Sequence, residues 1–289
     1  MTIDLHTHSA VSDGTASPAD LVRSAAAAGL EVVALTDHDT TAGWDEAVAA
    51  AEETGVGLVR GIEISTRFRG AGVHLLAYLP EAGDPALQAE LGRIVAGREG
   101  RVPAMLARLR EIGIPATAEA LAEVSPDNRV TGRPHIADLL VRLGVVADRD
   151  EAFARYLYDG GPAFIDRYAA DLVAMIGLVT AARGVAVIAH PWGRGSASTL
   201  DEAAFAELAD AGLAGIEVDH LDHDAPSRGR LRAIADRLDL VVTGASDHHG
   251  TGKTGHDLGC ETTDPRQLDR ILERAAALGS TTGLAGKAR

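Results

Sequence analysis

Short continuous apolar runs alternate with alanine-rich stretches of helical spacing along nearly the whole chain. Ile3-Asp4-Leu5 opens the first run. Ser17-Pro18 follows as an N-cap and a first-turn proline, and Gly29 stops the helix that they start. Glu31-Val32-Val33-Ala34-Leu35 reads as a buried strand, and a helix about Trp44 to Thr54 runs up to Gly55. Leu58 to Ile64 and Val73 to Leu79 read as the next strands, and Val185 to Ala189, Gly215 to Val218 and Leu240 to Gly244 repeat the pattern later. Strands that are apolar throughout and separated by helices predict parallel pairing with helices outside, in an α/β barrel or an open sheet.

The middle departs from this rhythm. No strand-like run occurs from about Gly92 to Gly161, only helical segments broken at Gly113-Ile114-Pro115, Ser125-Pro126 and Gly160-Gly161-Pro162. The pattern therefore predicts an α/β part over residues 1–91, a helical insertion over 92–161 and a second α/β part over 162–289. Residues 93–155 carry ten arginines against nine acids, a net +1 inside a chain of net charge −15.

That overall charge argues against a coat for long nucleic acid. The chain has no apolar run long enough to span a membrane, and its start, MTIDLHTHS, lacks the features of a secretory signal. A single cysteine, Cys260, excludes an internal disulfide framework and a multi-cysteine zinc knuckle, which makes the cytoplasm the expected compartment.

The candidate chemistry gathers at strand ends. His6 and His8 follow the first strand, with Asp13 just beyond in Ser12-Asp13-Gly14. His38 closes the second strand, Glu63 the third, and His190 the strand Val185–Ala189; Asp247 and His249 follow the last. Active sites of such folds lie where strands end, so these residues are expected to converge. His74 stands near the start of its strand and would join only if the loop before it crossed the barrel mouth. A lone histidine at a strand end is ordinarily a satisfied polar group, but that explanation must be repeated for every one of these positions. Histidine and carboxylate without cysteine suit manganese, zinc or iron. The set is too large for one ion; two or three ions sharing a carboxylate would acidify a water and clamp the attacking and leaving oxygens. Such a cluster would serve phosphoester, amide or ester hydrolysis alike. The chain has neither a Gly-x-Ser-x-Gly elbow nor a P-loop, and Gly250-Thr251-Gly252-Lys253-Thr254-Gly255 lacks the P-loop spacing.

Taken in order, His6-Thr7-His8-Ser9, Ser12-Asp13-Gly14, Thr36-Asp37-His38-Asp39, Gly61-Ile62-Glu63-Ile64-Ser65, His74-Leu75-Leu76-Ala77-Tyr78, Ala189-His190-Pro191 and Ser246-Asp247-His248-His249-Gly250 resemble the PHP (polymerase and histidinol phosphatase) metallophosphoesterases. The resemblance implies a distorted (βα)7 barrel with a trinuclear centre. His6, His8, Glu63 and Asp247 would hold one ion, Asp13, His38 and His249 a second, and Glu63, His74 and His190 a third. Manganese leads as the expected metal, with zinc, iron or magnesium as other divalent ions. His248 would be no ligand, and Glu217, Asp219 and His220 would be neighbours of the site rather than ligands.

Asp13, the insertion and Val130-Thr131-Gly132-Arg133-Pro134-His135 resemble the branch of 3′,5′-nucleoside bisphosphate phosphatases and 5′-3′ exoribonucleases. In that branch the insertion covers the metal site, which implies that Arg133 and His135 face the substrate. His135 could act as general acid, although Arg-Pro-His also starts helices. Arg194, after His190-Pro191-Trp192-Gly193, could reach a phosphate or cap its loop. The expected substrate is a small anionic nucleotide, with 3′,5′-bisphosphorylated adenosine first and short RNA a further candidate. Histidinol phosphate, an amidohydrolase reaction and a non-catalytic scaffold are the alternatives.

Overall fold

The computed structural model describes residues 1–124, 132–158, 160–166 and 168–286. Ser125-Pro126 and the Val130-Thr131 part of the motif lie outside the described residues, as does Lys287. The chain divides into two compact units, Met1–Leu91 with Ala170–Arg289, and Gly92–Ala169.

The first unit is built on strands β1 (Ile3–Thr7), β2 (Val32–Leu35), β3 (Gly57–Phe68), β4 (Ala71–Tyr78), β5 (Ala170–Asp171), β6 (Val185–Ile188), β7 (Gly215–Asp219) and β8 (Val241–Gly244). Seven of them run in the order β1-β2-β3-β4-β6-β7-β8, with β5 paired off this path on β3. The two ends of the series meet: Thr7 bridges His248, and the His8 N–H donates to the His248 carbonyl at 2.8 Å. The result is a nearly closed α/β barrel. Its strands are buried on both faces, which is why they read as continuous apolar runs.

Helices α1 (Pro18–Ala27) and α2 (Trp44–Thr54) follow β1 and β2, and α7 (Leu172–Ala181), α8 (Glu202–Asp210), α9 (Ala225–Arg237) and α10 (Pro265–Ala277) serve the second half. Ser17 caps α1 by accepting the Asp20 N–H at 3.1 Å. Aspartates do the same for α7, α8, α9 and α10, each cap being worth about 1 kcal/mol. Ile3, Leu5, Val59, Leu76, Val187 and Val241 share one core with Leu268 and Ile271 of α10. Among the described residues no helix is long and apolar enough to cross a membrane.

Two expectations need correction. β4 runs antiparallel to both β3 and β6. No crossover helix fits between Phe68 and Ala71; the chain reverses through Arg69 (φ 48°) and Gly70 (φ 85°), a hairpin turn that requires positive φ. β3 is also longer than Leu58–Ile64. Its first half pairs parallel with β2, and its second half, through Phe68, pairs antiparallel with β4.

The second unit contains helix α3 (Pro85–Glu111), which enters it from the first, then α4 (Ala118–Val124), α5 (Arg133–Arg142) and α6 (Arg149–Ala152). Met105, Leu109, Ile136, Leu139, Leu140 and Leu157 form its core. It extends to Ala169 rather than ending at Gly161, because Ala163 is buried in that core and Ile165 packs on it.

Candidate metal centre

Glu63 lies at the middle of the strand ends. It is 1% exposed, and both of its oxygens meet imidazoles. Oε1 is 2.7 Å from His74 Nδ1 and 3.2 Å from His190 Nε2. Oε2 is 3.3 Å from His6 Nε2, 3.2 Å from His8 Nε2 and 3.1 Å from His38 Nδ1. Antiparallel β4 explains the presence of His74. It pairs with Ser65 across the hairpin, so the start of β4 lies at the same end as the close of its neighbours, and no loop has to cross the mouth.

The remaining residues complete the ring. His8, Asp13, His38 and His249 bring ligand atoms together, as do His6, His8 and Asp247, and His38, Glu63 and His74. Asp13 reaches His249 Nε2 at 3.3 Å and His38 Nε2 at 3.6 Å. The His190 ring enters through Glu63, with Nε2 3.2 Å from Oε1. All the residues expected as ligands are thus gathered, although His8 and His38 are each shared between sets.

The donor set fits divalent cations. His6 and His8 face each other Nε2 to Nε2 at 3.1 Å, a pairing that two bare lone pairs tolerate only about a shared proton or cation. His38 Nδ1 is buried and, among the described residues, has no hydrogen-bond partner although Glu63 Oε2 is 3.1 Å away.

Buried partners fix the rings. The His6 Nδ1–H donates to Glu217 Oε1 at 3.1 Å, which leaves Nε2 for the cluster. Glu217 Oε2 accepts the His190 N–H at 2.8 Å. His249 Nδ1 donates to the Asp247 carbonyl at 2.9 Å, freeing Nε2. Asp37 accepts from the Ser9 N–H at 2.8 Å and from the Ser9 and Ser12 hydroxyls, each at 2.6 Å, and so shapes the turn that carries Asp13. Asp39 holds Ser65 through its N–H and hydroxyl. Asp39 (φ 57°), His190 (φ 28°) and Asp247 (φ 51°) all adopt left-handed backbone, which costs on the order of 1–3 kcal/mol each and persists where the surroundings enforce it.

The PHP domain family profile matches residues 4–82. Over 257 residues the chain is 35% identical to a 3′,5′-nucleoside bisphosphate phosphatase of Chromobacterium violaceum, covering 89% of this chain and 90% of that one. The chain belongs to the PHP family of metal-dependent phosphoesterases. It is also 37% identical to a 5′-3′ exoribonuclease of Haemophilus influenzae over 246 residues, 85% of this chain and 89% of the relative. A solved structure from Bifidobacterium adolescentis, assigned to the metal-dependent phosphoesterases, superposes with a TM-score of 0.84 at 36% identity, covering 94% of this chain and 96% of that one.

Several groups of this PHP protein went unread in its sequence. Asp4, Asp37 and Asp39 are buried beside the ligands yet share their residue type, so nothing in the sequence separates holder from ligand. Lys253 reaches Asp247 Oδ2 from the Gly-rich segment that lacks P-loop spacing. Glu217 and His220 adjoin the site as expected. Asp219 turns away to Arg232 and Arg228, and His248 donates to the His256 carbonyl at 2.6 Å and takes no part.

In the helical unit, Arg133 starts α5. It donates to the Leu157 carbonyl at 3.3 Å, and its guanidinium lies 5.9 Å from the rings of both Phe153 and Phe164. His135 Nδ1 accepts the Gly132 N–H at 2.9 Å, which caps the helix and places the proton of the neutral ring on Nε2. The side chain of Arg194 lies outside the described residues.

Without metal, His6 and His8 hold protons in place of cations, whereas burial pushes the pKa of the His38 ring down to about 3. Burial disfavours the His8 cation, but the Asp247 and Glu63 carboxylates outweigh it and push its pKa up to about 10. His6 is raised well above its ordinary value against the same burial, by Glu63, Glu217 and Asp247. A ligating ring must be neutral, so metal uptake near pH 7 is expected to expel these protons. Apparent affinity should therefore fall as pH falls, by about tenfold per unit for each proton released. Calorimetric titration in buffers of different ionisation enthalpy checks this, and heats that do not depend on the buffer would exclude proton release.

Proposed function

We propose that this protein hydrolyses a phosphomonoester of a small nucleotide, converting a 3′,5′-nucleoside bisphosphate to the nucleoside 5′-monophosphate in the cytoplasm. The observation that carries this reading is the bridging position of Glu63, with both oxygens among imidazoles that share it as a common partner. Likeness over most of the chain to a bisphosphate phosphatase supports the substrate. Divalent ions, manganese first, would supply an acidified water and neutralise charge on the phosphoryl oxygens.

The chain's own groups do the rest. His6, His8, Asp13, His38, Glu63, His74, His190, Asp247 and His249 would hold the ions, and Glu217 orients His6 and His190. Arg133 holds the phosphate that is not transferred, and this remote binding positions the reacting phosphate. Arg194, in the loop after His190, assists in phosphate binding. His135, whose ring keeps a proton on Nε2, gives it to the leaving alkoxide.

Arg133→Ala is expected to raise KM by about ten- to a hundredfold, the worth of a charge-assisted hydrogen bond to phosphate, with kcat nearly unchanged. Steady-state kinetics on adenosine 3′,5′-bisphosphate measures both constants, and an unaltered KM would remove Arg133 from the site.

A second reading, 5′-3′ cleavage of short RNA, is favoured by the 37% identity to an exoribonuclease. A product screen with manganese over adenosine 3′,5′-bisphosphate, short 5′-phosphorylated RNA and histidinol phosphate separates the readings. The proposal expects phosphate release to be fastest from the bisphosphate. Nucleoside 5′-monophosphates appearing faster from RNA would favour the second reading, and preference for histidinol phosphate would contradict both.

A further inference from the structure

Asp247 uses its two oxygens differently. Oδ1 lies 3.5 Å from His6 Nε2, 3.4 Å from His8 Nε2 and 3.5 Å from His249 Nδ1, and so faces the ligand cluster. Oδ2 meets His220 Nε2 at 3.3 Å and Lys253 Nζ. By proximity alone, His220, Asp247 and His256 would form a further metal set. The hydrogen bonds take His220 out of it. A backbone N–H can only donate, and that of Asp222 lies 3.1 Å from His220 Nδ1. Nδ1 therefore carries the lone pair, and the single ring proton is on Nε2. An Nε2–H aimed at a carboxylate oxygen donates to it and cannot ligate.

We infer that His220 is a positioning residue for Asp247. Its Nε2–H holds Oδ2 so that Oδ1 alone is presented to a metal ion. The inference rests on reading Asp247 as a ligand.

The loop after β7 is built to keep that ring in place. His220 is fully buried. Its carbonyl accepts from Arg228 at 2.8 Å and from the His223 N–H at 3.0 Å. Arg228 also donates to the His223 carbonyl at 3.0 Å and is itself paired with Glu261 at 2.6 Å. His223 Nδ1 donates to the Val218 carbonyl at 2.9 Å, and its Nε2 accepts the Trp192 N–H at 3.2 Å, which ties this loop to the one that carries His190. These bonds fix the His220 backbone, and a turn of its ring would break the bond from the Asp222 N–H to Nδ1. Lys253 meets the same oxygen but adds a positive charge, so removing it alters hydrogen bonding and field together. The neutral His220 isolates the hydrogen bond.

A buried histidine that merely fills space would tolerate any polar replacement of similar size. Glutamine can place an amide N–H near the position of Nε2, whereas asparagine reaches only as far as Nδ1. Metal-free wild type, His220→Gln, His220→Asn and His220→Ala are titrated with manganese, with free Mn(II) followed by its paramagnetic resonance and bound metal counted per chain. Wild type and His220→Gln should load the same equivalents with affinities within a few-fold. His220→Asn and His220→Ala should bind one equivalent about ten- to a hundredfold more weakly and keep the others. Asparagine and alanine variants that load as wild type does would overturn the role of His220. If the alanine variant fails to fold, the glutamine–asparagine comparison decides alone. Wild-type protein that takes up no manganese would overturn the metal-centre reading itself, which keeps the two failures apart.

Discussion

Replacing Glu63 by glutamine is expected to lower turnover about a thousandfold or more and to cost the protein more than one equivalent of bound metal. The side chain is the same size, so the effect comes from charge and acceptor count. Oε1 serves His74 and His190, and Oε2 serves His6, His8 and His38. An amide keeps one oxygen and turns an N–H₂ group towards ring nitrogens and cations. In the metal-free protein the carboxylate stays ionised: burial opposes that charge, but His38, His74 and His6 hold its pKa well below the ordinary carboxylate range. Loss of several kcal/mol of charge stabilisation at a shared ligand corresponds to about three powers of ten in rate. Metal analysis beside steady-state kinetics tests both parts. Activity within tenfold of wild type and full metal content would show that Glu63 is not the bridge.

Gly14→Ala should lower turnover about a hundredfold without touching a ligand. A Cβ at this position would lie 2.3 Å from the His8 carbonyl oxygen and 2.7 Å from its carbon, and both belong to backbone, which cannot turn aside. The turn is pinned further by the Gly14 N–H on the Ser9 carbonyl at 2.9 Å and by the three bonds from Ser9 and Ser12 to Asp37. The clash can be relieved only by moving Asp13 away from His249 and His38, or His8 away from Glu63. Overpacking of this kind costs about 1–3 kcal/mol of stability, and displacement of about 1 Å at a reacting site costs about a hundredfold in rate. Thermal unfolding and kcat measured together check this. An alanine variant as stable and as active as wild type would mean that the turn is free to shift.

Much of this was legible because strand ends carried the chemistry. His6, His38, Glu63, His190 and Asp247 each follow an apolar run, and α/β architecture then brings such positions to one end. His74 was misplaced for a local reason. Ser65, Thr66 and Arg67 break the apolar run with three polar residues in a row, so the pattern ends the strand at Ile64 and hides both the second half of β3 and the hairpin that turns β4 around. The available signal is the short gap between Ile64 and Val73, since its eight residues are too few for a parallel crossover. Asp4, Asp37 and Asp39 illustrate a deeper limit. A carboxylate that holds a serine or a backbone N–H and one that holds an ion are the same residue, and only burial and partners tell them apart. His220 was legible as a neighbour of the site, but its direction of hydrogen bonding depends on the Asp222 N–H, which has no signature in sequence.

The central claim is that this histidine–carboxylate cluster, loaded with divalent ions, removes phosphate from a small nucleotide. Metal-free protein titrated with manganese while phosphate release from adenosine 3′,5′-bisphosphate is followed tests it most directly. The account predicts no release without metal, and a rate that climbs with added manganese and levels off at two or three equivalents per chain. Release that ignores manganese, or none at any loading, would contradict it.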